Sequence, residues 1–86
     1  MISIDDCIGM SGLTRDEIDA IAEHEHIPEA AAAALGAYLM HIRRGEDVVR
    51  QMIRDDIRTA LARGDRQHAA DLLATLRTFL AHHAVS

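Results

Sequence analysis

The chain has 86 residues, of which 49% are hydrophobic and 2% aromatic, and its formal net charge at neutral pH is -5. This length fits one domain over residues 1–86, which buries only about 60% of the surface that the unfolded chain exposes. The composition excludes an intrachain disulfide, because Cys7 is the only cysteine, and no apolar run approaches the roughly 20 residues of a membrane span.

The cysteine usage and the first residues favour a cytoplasmic protein without a membrane partner. A single thiol is typical of a reducing compartment. Asp5 and Asp6 stand where a secretory signal has basic residues followed by an apolar stretch. We therefore expect the protein to act in the cytoplasm.

The first predicted element in chain order is a short N-terminal helix. Ile4, Cys7 and Ile8 fall on one helical face, and Ser3 is placed to cap it before Gly9 interrupts the pattern. On this face we expect Cys7 to behave as a small buried apolar residue.

Two helices then meet at a tight corner. Thr14 and Glu17 have the spacing of a capping box, in which each side chain accepts a hydrogen bond from the other residue's backbone N–H. Pro28 ends this helix, because it has no N–H to donate, and its fixed φ suits the first position of the next. The pattern predicts helices over about 14–26 and about 28–43.

The second of these helices is rich in alanine. Five consecutive alanines at 30–34 and the nearby Gly36 leave little side-chain bulk, so another helix can approach closely. Its apolar positions at helical spacing, which we expect to face the core, are Ala31, Ala34, Leu35, Tyr38, Leu39 and Ile42.

Two longer helices complete the prediction. Gly45 is expected to end the alanine-rich helix in a left-handed conformation, Gly64 to end the third helix, and Asp65 to cap the last. The third helix has an apolar stripe of Val49, Met52, Ile53, Ile57, Ala60 and Leu61, and the last has one of Ala69, Leu72, Leu73, Leu76, Phe79, Leu80 and His83. The sequence therefore predicts an all-α fold: a compact bundle of four helices plus a short N-terminal helix.

Glu23 and His26 form the candidate metal site. Three residues apart on a helix, a carboxylate and an imidazole face the same way and can share one metal ion. The spacing resembles the Glu-x-x-His element of ferritin-like di-iron proteins, although the resemblance covers four residues and the chain has no second such element. It implies iron or zinc as a cofactor, with a symmetric dimer supplying the second element.

An alternative interpretation needs no metal. Five of the six histidines lie at or near the last turn of a predicted helix, where an imidazole can donate to free carbonyls and interact with the helix dipole: His24, His26, His41, His82 and His83. The exception, His68, lies near the start of the last helix and is expected to be a neutral, hydrogen-bonded residue at the edge of the interior.

Neither nucleic-acid binding nor catalysis is indicated. Arg50, Arg54 and Arg58 line one helix edge, but Asp47 and Asp55 are close enough to pair with them, and no aromatic residue is placed to stack on bases. No serine stands beside a histidine and an acid in a catalytic spacing, and no glycine-rich phosphate loop is present. We therefore predict no catalytic residues and no nucleic-acid partner.

Self-association is the function that the composition favours most. Fifteen of the apolar residues are alanines, which remove little apolar surface from water, and a bundle that pairs with itself would bury more. Charge is also divided, because residues 1–42 hold eight acidic groups against Arg15 alone and residues 43–86 hold eight arginines against six acidic groups. We predict a small non-enzymatic interaction module that forms a homodimer or binds a protein partner; the alternative is a metal-binding bundle.

Overall fold

A computed structural model describes residues 12–83, and this part of the chain forms four α-helices and no β-strand. The helices are α1 (Arg15–Glu25), α2 (Glu29–Leu39), α3 (Gly45–Ala62) and α4 (Arg66–His82). The predicted all-α bundle of four helices is therefore confirmed. The short N-terminal helix predicted around Ile4, Cys7 and Ile8 lies outside the described residues and stays a prediction. Within residues 12–83, no helix is long and apolar enough to cross a membrane.

The predicted capping box starts α1. The Glu17 backbone N–H donates to Thr14 Oγ1 at 3.2 Å, and the Thr14 N–H donates to Glu17 Oε1 at 2.7 Å. The side chain of Glu17 is fully buried, which the sequence did not indicate. The helix ends at His26, whose left-handed backbone has a φ of 56°. The chain then turns through Ile27 into α2, as Pro28 predicts.

The buried face of α2 differs from the predicted stripe. The structure buries Ala32, Ala33, Gly36 and Leu39, whereas Ala31, Ala34, Tyr38 and Ile42 are exposed. The physical reason is close packing, because a Cβ added to Gly36 would lie 2.7 Å from Leu13 Cδ1 and 3.4 Å from Ile21 Cδ1. The predicted close approach of another helix is thus correct. The predicted stripe is correct for Leu39 and for Leu35, which packs against the core, and wrong for its other four residues.

The corner between α2 and α3 also differs from the prediction. Arg44, and not Gly45, has the left-handed backbone, with a φ of 68°, and Gly45 is the first residue of α3. Gly45 is buried against the end of α2, where an added Cβ would overlap the carbonyl oxygen of Leu39. The glycine is therefore required for contact between two helices and not for a turn.

The core lies between two helical hairpins, one formed by α1 and α2 and the other by α3 and α4. Gly64 has a φ of 76° in the second hairpin, and Asp65 caps α4 by accepting from the His68 N–H at 3.2 Å, both as predicted. Helix α1 contacts all three other helices. The largest fully buried side chains come from three helices: Ile18, Ile21, Glu17, Val49, Ile53 and Phe79.

The packing of Gly45 predicts a marked cost for Gly45→Ala. The added methyl group would force α2 and α3 apart, so we expect the free energy of unfolding to fall by about 3 kcal/mol. Urea unfolding followed by circular dichroism measures the change. Gly64→Ala is the matched control, because no atom lies within 4 Å of its added Cβ. Strain in the left-handed conformation alone should cost this control about 1 kcal/mol, and equal losses in both variants would contradict the packing role.

Candidate functional site

An acidic groove of about 460 Å³ runs between α1 and α4. Helix α1 contributes Asp16, Asp19 and Glu23, whose spacing of three and four residues places them on one helical face. Helix α4 contributes Asp71 and His68. The groove thus brings four carboxylates and one imidazole together from distant parts of the chain.

Glu23 and His68 connect the two sides of the groove. Glu23 Oε1 lies 2.5 Å from His68 Nε2, and both side chains are partly exposed. This hydrogen bond is the largest cause of a raised pKa for His68; partial burial opposes the rise, and the negative charges of Glu23 and Asp65 add to it. The contact therefore favours the charged imidazole over the neutral form expected from sequence.

A second effect in the groove concerns Asp19. Its pKa is raised above the ordinary value, first by partial burial and then by the negative charge of Glu29 on α2. Glu29 in turn accepts from Arg15 Nη1 at 2.6 Å, which joins α1 to α2. Negative charge is therefore crowded along this edge of α1.

The two predicted metal ligands are placed differently. Glu23 lines the groove, while His26 is exposed at the end of α1. The prediction required both residues to be helical, and the backbone of His26 is left-handed instead. The imidazole that the structure brings to Glu23 is His68, 45 residues later in the chain. Among residues 12–83, no three His, Cys, Asp or Glu side chains are grouped so as to hold a metal ion.

Three of the other histidines fall into two groups. His41 has the predicted helix-end role, with Nδ1 2.6 Å from the carbonyl oxygen of Ala37. Others join helices: His24 Nδ1 lies 3.1 Å from Asp56 Oδ1 on α3, and His83 Nδ1 lies 3.9 Å from Glu46 Oε1. Sequence reasoning missed these pairs because their partners are distant in the chain.

The arginine edge of α3 has the predicted ion pairs. Asp47 accepts from both Arg44 and Arg50, and Arg58 Nη1 lies 4.0 Å from Asp55 Oδ1. These pairs are exposed, and each contributes less than about 1 kcal/mol.

The outward face of α2 carries no charged side chain after Glu29. No charged residue occurs between Glu29 and Leu39. Ala30, Ala31 and Ala34 are exposed, and 62% of Tyr38 is exposed. Charged side chains normally cover the solvent face of a helix, and here they are missing.

Comparisons of the chain with models of protein families, with curated proteins and with solved structures give no match. The acidic groove and the α2 face are two surfaces whose own geometry supports an argument about function.

The Glu23–His68 pair predicts a small pH dependence of stability. A raised pKa in the folded state means that the stabilisation is complete below the ordinary value of about 6.5 and is lost as the pH rises through the folded value. From about pH 6 to about pH 8 we expect this pair to contribute a loss of less than about 1 kcal/mol, because it is partly exposed.

Urea unfolding of wild type and Glu23→Gln at both pH values tests the assignment. The fall in stability should be smaller in Glu23→Gln, because a neutral amide favours the charged imidazole less. Glu25→Gln is the control, since this exposed carboxylate lies on the same helix without lining the groove. Equal falls in all three proteins would show that the pair does not titrate as proposed.

Proposed function

We propose that this protein is a non-enzymatic interaction module of the cytoplasm that self-associates through the outward face of α2. The observation that carries the proposal is the uncharged, exposed surface formed by Ala30, Ala31, Ala34 and Tyr38. A helix that is apolar all round is normally buried, and one side of α2 is open to solvent in the single chain.

The size of the side chains favours another helix as the binding element. Alanines let a second helix approach closely, as they already do on the opposite face of α2. Tyr38 adds a large amphipathic side chain of the kind that is enriched in protein interfaces. Two copies of α2 packed about a twofold axis would bury both surfaces at once.

The charges at the two ends of α2 favour an antiparallel pair. Glu29 lies at the start of the helix, and Arg43 and Arg44 follow its end. In an antiparallel arrangement the acidic end of one copy lies beside the basic end of the other. Such rim charges mainly set orientation and association rate, while the apolar centre supplies the affinity.

Ala34→Glu is expected to disrupt the dimer. A carboxylate in the middle of the interface would lose its hydration without gaining a partner, so the dissociation constant should rise at least about tenfold. Sedimentation velocity over a range of concentrations measures the change. Ala70→Glu, at an exposed alanine of α4, is the matched control and should associate like wild type. A wild-type chain that stays monomeric at the highest concentration would contradict the proposal.

A second candidate function is metal binding, with Glu23 and His26 as ligands of iron or zinc. The observation that favours a site at Glu23 is the imidazole of His68 beside its carboxylate, since carboxylate and imidazole are ligands of both metals. This geometry makes His68 an alternative to His26 as the nitrogen ligand.

Native mass spectrometry of the full chain after incubation with iron(II) or zinc tests the metal hypothesis. Glu23→Gln should abolish the retained metal mass, whereas Glu25→Gln should leave it unchanged. Comparison of His26→Ala with His68→Ala then identifies the nitrogen ligand. Retention that is unaffected by Glu23→Gln would remove the hypothesis.

A further inference from the structure

The outer surface of the α3–α4 hairpin presents an apolar strip. Glu46 Oε1 of α3 lies 3.9 Å from Nδ1 of His83, which follows α4, so these faces of the two helices lie side by side, and the chain turns between the helices at Gly64. Ile57 follows Glu46 by about three helical turns and Leu80 precedes His83 by about one, so both lie on the faces where α3 and α4 meet. We call this surface the hairpin face, defined by Ile57, Leu61, Leu73 and Leu80.

The members of the hairpin face are incompletely buried. Leu61 is 57% exposed and Leu73 is 43% exposed, while Ile57 and Leu80 are partly buried and pack against the core from this side. The strip therefore leaves apolar side chains of both helices open to solvent. Apolar groups gathered in this way favour a partner with an apolar face of its own.

Arginines border the hairpin face. Helical spacing places Arg54 and Arg58 beside Ile57 and Leu61 on α3, and Arg77 between Leu73 and Leu80 on α4. Arg54 and Arg77 have no ion-pair partner among residues 12–83, and Arg58 reaches only the distant pair with Asp55.

The acidic groups of the hairpin have other partners: Asp47 and Asp55 contact arginines of α3, Glu46 lies near His83, and Asp65 caps α4. Asp71 lines the groove toward α1 on the other side of α4, and Asp56 pairs with His24 of α1. The hairpin face is thus positive on a chain whose net charge is -5.

We propose that the hairpin face binds an acidic amphipathic helix of a partner protein. An amphipathic helix can lay its apolar side along this exposed apolar strip, and carboxylates on the flanks of that helix would meet the arginines. Nucleic acid fits less well, because the centre of the surface is aliphatic and carries no aromatic side chain to stack on bases. The surface is separate from the outward face of α2, so the proposal goes beyond self-association and does not depend on it.

An NMR titration of the full-length, isotope-labelled chain tests the proposal. The probe is a synthetic amphipathic peptide of about five helical turns, with leucines on one face and glutamates on both flanks. We expect shift changes centred on Ile57, Leu61 and Leu73 and none centred on Tyr38 of α2. The same peptide with lysines in place of glutamates should bind at least about tenfold more weakly.

Variants locate the binding surface and test its charge. Leu61→Gln with Leu73→Gln should weaken binding of the acidic peptide at least about tenfold, because exposed apolar anchors are lost without a change in the core. Val48→Gln is the matched control, since Val48 is 41% exposed on another side of α3. Arg54→Glu with Arg77→Glu should reverse the preference, so that the lysine peptide binds more tightly than the glutamate peptide.

Several results would overturn the proposal. Absence of binding at about millimolar peptide would show that the hairpin face does not accept an acidic helix. Equal binding of the two peptides would remove the role of the arginines. Tighter binding of a DNA duplex or of anionic lipid vesicles at the same residues would assign the surface to phosphate groups instead of a helix. Normal dimerisation alongside any of these results would leave the proposal for α2 intact.

Discussion

The close approach of α2 to α1 is the constraint on which the arrangement of the other helices depends. It is possible because α2 turns Ala32, Ala33 and Gly36 toward α1, where Leu13 and Ile21 occupy the space that larger side chains would need. Helix α1 contacts α3 and α4 as well, and α3 likewise contacts all the other helices. Gly45 plays the same part at the corner, since the start of α3 lies directly against the end of α2. Small residues at these two points thus allow the helices to pack closely without a large core.

The small side chains of α2 also affect the surface of the protein. A helix whose buried face consists of alanine and glycine contributes little burial of apolar area, and its other face is uncharged as well. In the single chain, α2 therefore leaves apolar surface in water that a second helix can cover. The aromatic ring of Tyr38 lies on this outer face and not in the core, where its size would prevent the contact between α2 and its neighbours.

The two hairpins differ in the charged side chains that they present. Carboxylates of α1 line the groove toward α4, whereas arginines of α3 and α4 border the outer side of the second hairpin. The charge difference predicted between the two halves of the chain is therefore a difference between two surfaces of the folded protein. Histidines connect the first hairpin to the second, because His24 pairs with Asp56 and His68 with Glu23. These pairs are contacts between helices. The position of His24 in the sequence had instead indicated a role at the end of a helix.

Over residues 12–83, the sequence by itself determined the number of helices, most of their boundaries and most of the core. Signals such as the Thr14–Glu17 capping box, Pro28 and the Asp65 cap act within a few residues. The apolar periodicity of α3 and α4 identifies their buried faces apart from Leu61 and Leu73, which are exposed. Only the tertiary structure decided which face of α2 is buried, because a run of alanines has no periodic contrast to reveal it. Only the tertiary structure joined Glu23 to His68, since a hydrogen bond across 45 residues follows from how helices pack and not from spacing along one helix.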